Sequence, residues 1–415
     1  MAQQLLQYGA KKNPAELSDI LAYIFERNNE LTKQDERGTP VCIWGTHGLG
    51  KTALVHDFAI SRGWKFAYIA PAQFEEMGDL HGMPVEYDPT PEAPNSGDEV
   101  TIYYAPDWVP TEEGPGILLL DDLNRADDRI LRGCMQLLQN FELKSWSLPD
   151  KWQIVATCNP EGGDYSVTPM DDAMITRMMH VTMVFDAKVW GKWATQNEVD
   201  ERGIDFVLTY PETVTGKRTT PRTLTQFFQQ TKGIKDLKEN EELVRVLGES
   251  ALDSSTVTAF ISFIRDGLQK LIEPADILNA EDFETINQQL DEIGHDVEMR
   301  MVDKTVQEKD DDGNPILDDD GKPVEKKIQV EKEIKTKRVD RLNAQCYRML
   351  RHICWDDRYQ ADPAHKDNLV AFLTCPIIPS DLRTALYMDI SREAQNGVLD
   401  LLKDEGLAKE FLGNI

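Results

Sequence analysis

The sequence has no long hydrophobic run. No stretch approaches the roughly 20 apolar residues of a membrane-spanning helix, and no basic segment leads into an apolar one at the amino terminus, so neither a span nor an export signal is expected. Positive charge is also scarce. Lys and Arg number 45 against 73 Asp and Glu, a formal net charge of −28. A nucleic-acid backbone would meet repulsion here and release few counterions, which makes it a poor default partner. Cysteine is sparse too, and Cys42, Cys134, Cys158, Cys346, Cys354 and Cys375 never form a C-x-x-C pair. That spacing argues against a zinc or disulfide framework and reads as reduced core thiols of a cytoplasmic protein. With 415 residues the chain can bury more than one core, and two or three domains are expected.

Against these absences stands one dense motif. Val41-Cys42-Ile43-Trp44-Gly45-Thr46-His47-Gly48-Leu49-Gly50-Lys51-Thr52 is an apolar run, then glycines, then Lys-Thr opening a helix, and it fits G-x-x-x-x-G-K-[ST] at every fixed position. A buried strand feeding a tight loop aims backbone N–H groups and the positive end of the next helix at one point, where a polyphosphate can sit. Gly45, Gly48 and Gly50 let the backbone turn, Lys51 is expected on the β- and γ-phosphates, and the Thr52 hydroxyl on Mg²⁺. Thr46, His47 and Leu49 complete the loop.

Asn13, Pro14 and Glu16 form a helix start, and Leu17, Ile20, Leu21, Ile24 and Phe25 follow at helical spacing. Strands are expected at Val41–Trp44, Trp64–Ala70, Gly116–Leu120, Trp152–Thr157 and His180–Phe185, alternating with helices. This is an α/β chain with a five-stranded parallel sheet, whose ligands gather at the carboxyl ends of the strands. Pieces at Pro84–Tyr87 and Glu99–Tyr104 suggest a hairpin inserted at about 82–110. Beyond residue 187 helical patterns take over, with Trp190 and Trp193 on one face. The charged stretch 303–338 reads as a surface hairpin or mobile insertion. Within it, Glu308 to Asp319 departs from a calcium loop at both ends and reads as an acidic turn.

Two carboxylates ending a buried strand, Asp121 and Asp122, are costly unless a cation meets them. Behind a phosphate loop, Asp121 is expected to bind Mg²⁺ through water and Asp122 to orient the attacking water. Asn159, after the next strand, is placed to help hold that water. Arg177 and Arg222 are each ordinary surface arginines on their own, and in this order they are candidates for neutralising transition-state charge.

Gly45 to Thr52, Leu119-Leu120-Asp121-Asp122-Leu123-Asn124-Arg125-Ala126, Ala156-Thr157-Cys158-Asn159-Pro160, Asp171 to Arg177 and Pro221-Arg222 together resemble the MoxR-type branch of the AAA+ ATPases. The stand-alone MoxR-like ATPases carried by bacteria and phages are the most similar group, and the likeness covers roughly residues 35–275. It implies an ATP- and Mg²⁺-dependent ATPase in a hexameric ring that remodels or activates a separate protein partner, such as one with a von Willebrand A domain. It also implies a large α/β nucleotide-binding domain over 1–186 and a helical lid over 187–275, while residues 276–415, beyond the likeness, read as mostly helical from their own pattern. By the same likeness Asn159 is sensor 1, Arg177 an arginine finger serving the neighbouring subunit, and Arg222 sensor 2. The family usually ends this strand with Asp-Glu, so Asp122 is one methylene short, and slow hydrolysis is one implication. A nucleic-acid motor and a nucleotide-gated scaffold with little hydrolysis are the alternatives.

Overall fold

The computed structural model describes residue 6 and residues 8–87, 100–162, 166–266, 271–307, 325–394, 397–403 and 405–412. By contacts the chain divides into two compact units. One comprises Met1–Trp193, Glu212–Gly233 and Glu242–Val257, the other Ala194–Pro211, Ile234–Glu241 and Thr258–Ile415.

The first unit is built on a parallel sheet. In chain order its elements are β1 (Ala10–Lys12), α1 (Pro14–Thr32), β2 (Val41–Trp44), α2 (Lys51–Ser61), β3 (Lys65–Ile69), α3 (Met77–His81), β4 (Met83–Tyr87), β5 (Val100–Tyr104) and β6 (Gly116–Leu120). They continue with α4 (Asp128–Asn140), β7 (Glu142–Leu143), β8 (Trp146–Ser147), β9 (Trp152–Cys158), α5 (Asp172–Ile175), β10 (Met179–Met183) and α6 (Ala187–Gln196). After α7 (Glu201–Thr209), which belongs to the second unit, α8 (Pro221–Thr231) returns to the first. The sheet has six strands in the order β1-β10-β2-β9-β6-β3, every neighbouring pair parallel.

Side-chain alternation divides the core between the two faces of this sheet. Cys42, Trp44, Leu118, Leu120, Ile154 and Ala156 face Ile130, Leu131, Cys134, Leu137 and Leu138 of α4. Val41, Ile43, Ile117, Leu119, Val155 and Val181 face Leu17, Leu21 and Phe25 of α1 and Val55, Phe58 and Ala59 of α2. The start of α1 is the expected capping box, with the Asn13 side chain accepting from Glu16 N and Glu16 accepting from Asn13 N.

The expectation of five strands is corrected to six. The extra strand, β1, is Ala-Lys-Lys on the sheet edge, pairing Ala10 with Val181 and Lys12 with Met183. A lysine-rich edge strand buries too little to print an apolar pattern, and lysine suits an edge that must not pair further. The inserted hairpin is present as β4 and β5, antiparallel with Met83 opposite Tyr104; its turn lies outside the described residues. The six cysteines are free and buried, as expected.

The second unit is helical apart from a ribbon. Its helices include α7, Pro274–Leu278, Phe283–Gly294, Val339–Leu350, Lys366–Thr374 and Ser380–Glu393. Buried charge ties several together: Arg348 Nε donates to Asp205 Oδ2 at 2.8 Å, and Arg351 Nη2 lies 3.4 Å from Asp205 Oδ1. The fully buried Gln345 amide both donates to Ile272 O and accepts from Ile272 N, each at 2.8 Å. The ribbon pairs β11 (His295–Gln307) with β12 (Glu325–Lys337), antiparallel throughout. It begins ahead of the expected start at 303: Val297, Met299 and Met301 alternate with charged residues, a period-two pattern that belongs to the strand, and stand more than half exposed. The acidic turn from Glu308 to Asp319 lies outside the described residues.

Candidate functional site

Each chain segment that meets at the carboxyl end of the sheet arrives there for a local reason. β2 stops at Trp44, where Gly45 N donates to Cys158 O of β9 at 3.2 Å. The loop then needs a left-handed backbone at Gly48 (φ +72°) and at Gly50 (φ +93°), the cap of α2. Gly48 is needed for space as well, since a Cβ there would stand 2.4 Å from Thr220 Oγ1.

Lys51, in the first turn of α2, is 6% exposed. Its ammonium donates to Gly45 O at 2.8 Å, Thr46 O at 3.2 Å and Asn159 Oδ1 at 3.2 Å. Burial lowers its pKa from the ordinary lysine value, against the opposing pull of Asp122 and Asp121. This is a desolvated cation whose hydrogen bonds go to neutral oxygens.

Asp121 ends β6 and collects three hydroxyls. Thr52 Oγ1 donates to its Oδ1 at 2.8 Å, Thr157 Oγ1 to the same oxygen at 2.6 Å, and Tyr68 OH to Oδ2 at 3.3 Å. Burial, then the Asp121 charge, raise the Tyr68 pKa. Asp122 has left-handed φ and ψ of 49° and 41°, and its N–H donates to Thr157 Oγ1 at 2.8 Å. Asn159 Nδ2 donates to Asp122 Oδ1 at 2.7 Å, and Arg125 Nε lies 3.2 Å from Oδ2. Asn159 thus touches Lys51 through its oxygen and Asp122 through its nitrogen.

Three residues here lie within the quoted motif stretches, yet the sequence assigned them no role. Thr157 serves both acids, and Arg125 grips Asp122. Asn124, fully buried, exchanges two bonds with the Asn159 backbone: Asn124 Nδ2 donates to Asn159 O at 2.8 Å and Asn159 N to Asn124 Oδ1 at 3.0 Å. An invariant spacing does not mark such residues, because their work is to bind one strand end to the next.

Arg222 is brought to the loop. Its backbone N–H donates to Gly48 O at 3.1 Å, and its charge adds to the depression of the Lys51 pKa. His47 Nε2 lies 3.0 Å from Lys217 O, so the chain just before α8 also lies against the loop. Arg177 is not brought to the loop. It precedes β10, whose Met179 pairs with Val41 at the start of β2, which sets it at the opposite end of the sheet. There Arg177 Nε donates to Gln139 Oε1 at 3.1 Å and Nη1 to Ala173 O.

A cavity of about 720 Å³ opens beside the loop. Gly48, Leu49, Gly50, Thr52 and Arg222 line it together with apolar residues including Phe66, Trp190 and Trp193, and with the carboxylates of Asp57 and Asp186. Loop amides, an arginine and aromatic surface in one cavity suit a molecule that has both a polyanionic and a flat apolar part. Thr52 and Asp121 offer two hard oxygen donors side by side. Among the described residues no cluster of three or more His, Cys, Asp or Glu is placed to hold a metal. A cation here would complete its shell from phosphate and water, as Mg²⁺ does at phosphate loops.

No family model and no curated protein matches the chain. Among solved structures it is similar to RuvB of Thermotoga maritima. One single-substitution variant is 13% identical, with 66% of this chain and 77% of that chain covered at a TM-score of 0.36. Another structure, described as a Holliday junction branch migration motor, is 14% identical, with 66% and 76% covered at a TM-score of 0.34.

Proposed function

We propose that the chain is an ATP-hydrolysing ring ATPase of the AAA+ class, of MoxR-like type, which uses nucleotide turnover to remodel or activate a protein partner. The observation that carries this is Lys51: a buried ammonium, bonded to neutral oxygens beside two strand-end carboxylates, is the counterpart of an anion. In this reading the loop amides and Lys51 take the β- and γ-phosphates, and the apolar residues of the cavity take the base. Bound Mg²⁺, held by Thr52 and Asp121, would supply further neutralisation of phosphate charge. Asp122 orients the attacking water, and Asn159 spans from that acid to Lys51. Arg222 lies beside the loop as sensor 2, on a lid proposed to run over 187–275.

Arg177 is assigned to a neighbouring copy's site. Its position at the far end of the sheet supports a role in trans, and hence a closed ring, for which a hexamer is proposed. The partner is a separate chain, with a von Willebrand A domain protein as the first to try, and a bacterial cytoplasm is the proposed setting. The net charge of −28 weighs against a nucleic-acid motor. A nucleotide-gated scaffold draws on Asp122, both of whose oxygens are already engaged. ATP binding and steady-state phosphate release, measured on wild type, Lys51→Ala and Asp121→Asn, decide among these. Turnover lost in both variants, with binding lost in Lys51→Ala alone, supports the ATPase. Wild-type binding without turnover supports the scaffold, and wild-type-like turnover in either variant rejects the site.

A further inference from the structure

Arg125 belongs to a turn, Leu123–Arg125, that leaves the end of β6 directly after the two acids. Its backbone N–H donates to Asp122 O at 2.8 Å, and its Nε lies 3.2 Å from Asp122 Oδ2. The opposite oxygen, Oδ1, accepts from Asn159 Nδ2 at 2.7 Å. A single contact would leave a carboxylate free to turn about its terminal torsion, whereas a hydrogen bond on one oxygen and a guanidinium paired with the other restrict its plane. That restraint matters more for a short acid on a left-handed backbone than for a longer one that can settle into place. Each carboxylate oxygen keeps a second lone pair, and the Asp122 side chain is 37% exposed, so one edge stays open to water.

We propose that Arg125 is a positioning residue, which with Asn159 sets the orientation of Asp122 and so the place where the attacking water stands. This rests on reading the chain as an ATPase. The bland alternative is an exposed ion pair three residues apart, contributing at most about 1 kcal/mol to stability and nothing to the reaction. The two readings separate in kinetics. A carboxylate misplaced by about an ångström costs up to on the order of 10²-fold in rate, and partial retention by Asn159 argues for less.

The test is single-turnover phosphate release and ATP affinity for wild type, Arg125→Ala, Arg125→Lys, Asp122→Asn and the Asp122→Asn/Arg125→Ala pair. Expected is a rate about tenfold lower in Arg125→Ala, with ATP affinity and KM within about twofold of wild type and partial recovery in Arg125→Lys. In the Asp122→Asn background, removing Arg125 should cost nothing further, because its effect runs through that carboxylate. An unchanged or raised rate in Arg125→Ala overturns the proposal, as does a parallel loss of affinity, which would make Arg125 a nucleotide ligand. Independent, multiplying losses in the pair overturn it as well. A wild-type chain that binds ATP without turnover removes the ATPase reading itself, an outcome distinct from an Arg125 variant that matches an active wild type.

Discussion

Lys51 in the first unit and Arg348 in the second are buried cations of almost equal exposure, 6% and 7%, and they are compensated in different ways. Arg348 is closed. It meets the fully buried Asp205 at 2.8 Å and Glu273 at 3.2 Å, and although burial works against its charge, the Asp205 contact leaves its pKa above the ordinary arginine value. Lys51 donates to two carbonyls and an amide, and its pKa lies below the ordinary lysine value because burial outweighs the more distant acids. Arg177 shares the second arrangement, held by the Gln139 amide and the Ala173 carbonyl. A cation met by carboxylate in the fold contributes to structure, while one left with neutral acceptors is suited to an anion from outside.

The strongest way to break that contrast is Lys51→Ala. It should abolish ATP binding and lower turnover by at least about 10³-fold, with thermal stability held or raised because a desolvated charge is gone. Binding by calorimetry alongside a melting curve checks both halves, and a collapse in stability would place Lys51 with Arg348. Next is Arg177→Ala, which should lose about 10³-fold in turnover, while ATP affinity holds. Mixed with Asp122→Asn, itself strongly slowed, it should regain part of the activity, since each chain carries the group the other lacks. No regain in rings shown to be mixed would mean that Arg177 serves no neighbour.

On the closed side, Arg348→Met leaves Asp205 buried without its main partner and should cost about 3–5 kcal/mol of stability in denaturant unfolding. Changing Asp205→Asn as well should recover part of it. A loss below about 1 kcal/mol would show that Arg351 alone suffices. Asp122→Glu should lower turnover by about tenfold, near 1.4 kcal/mol of barrier, because Asn159 and Arg125 already grip the shorter acid. A faster enzyme would mean the short side chain is the defect.

The smallest effect concerns Asp253. Burial raises its pKa, but hydrogen bonds from Thr215 Oγ1 at 2.6 Å and Thr219 N at 2.9 Å, with the Arg218 charge, leave it lower than ordinary. The stability it contributes is therefore full above the unfolded value of about 3.9 and disappears as pH falls through the folded one. Asp253→Asn should lower the melting temperature by about 1–2 °C near neutrality, with the gap closing in strong acid. A gap independent of pH would trace the effect to packing.

Much of this was legible in the chain. The continuous apolar runs Val41–Trp44 and Gly116–Leu120 pointed to a sheet covered on both faces, and glycine at 48 and 50 marked the turn that follows. The expected acids and the phosphate loop do meet, with Thr52 on Asp121. Hidden were parts whose signal is neither apolar nor periodic. β1 is a lysine edge held by backbone bonds, Thr157 looks like any buried strand residue, and the use of Arg125 depends on a left-handed backbone at Asp122 that no residue type there announces. The ribbon start at His295 was missed although Val297, Met299 and Met301 alternate with charges at strand period.

The paired amides of Asn124 and Asn159 have a mechanical meaning. Two hydrogen bonds from one side chain to the N–H and C=O of a single residue tie the end of β9 to the turn after Asp122. The same turn grips the chain beyond it, as Thr168 N donates to Asn124 O at 2.8 Å and the Thr168 hydroxyl to Ala126 O at 2.7 Å. Asn124 thus joins the Asn159 backbone to Thr168, a few residues before Asp171 caps α5 and the chain reaches Arg177. One buried residue thereby works as a clasp shared by three stretches of backbone.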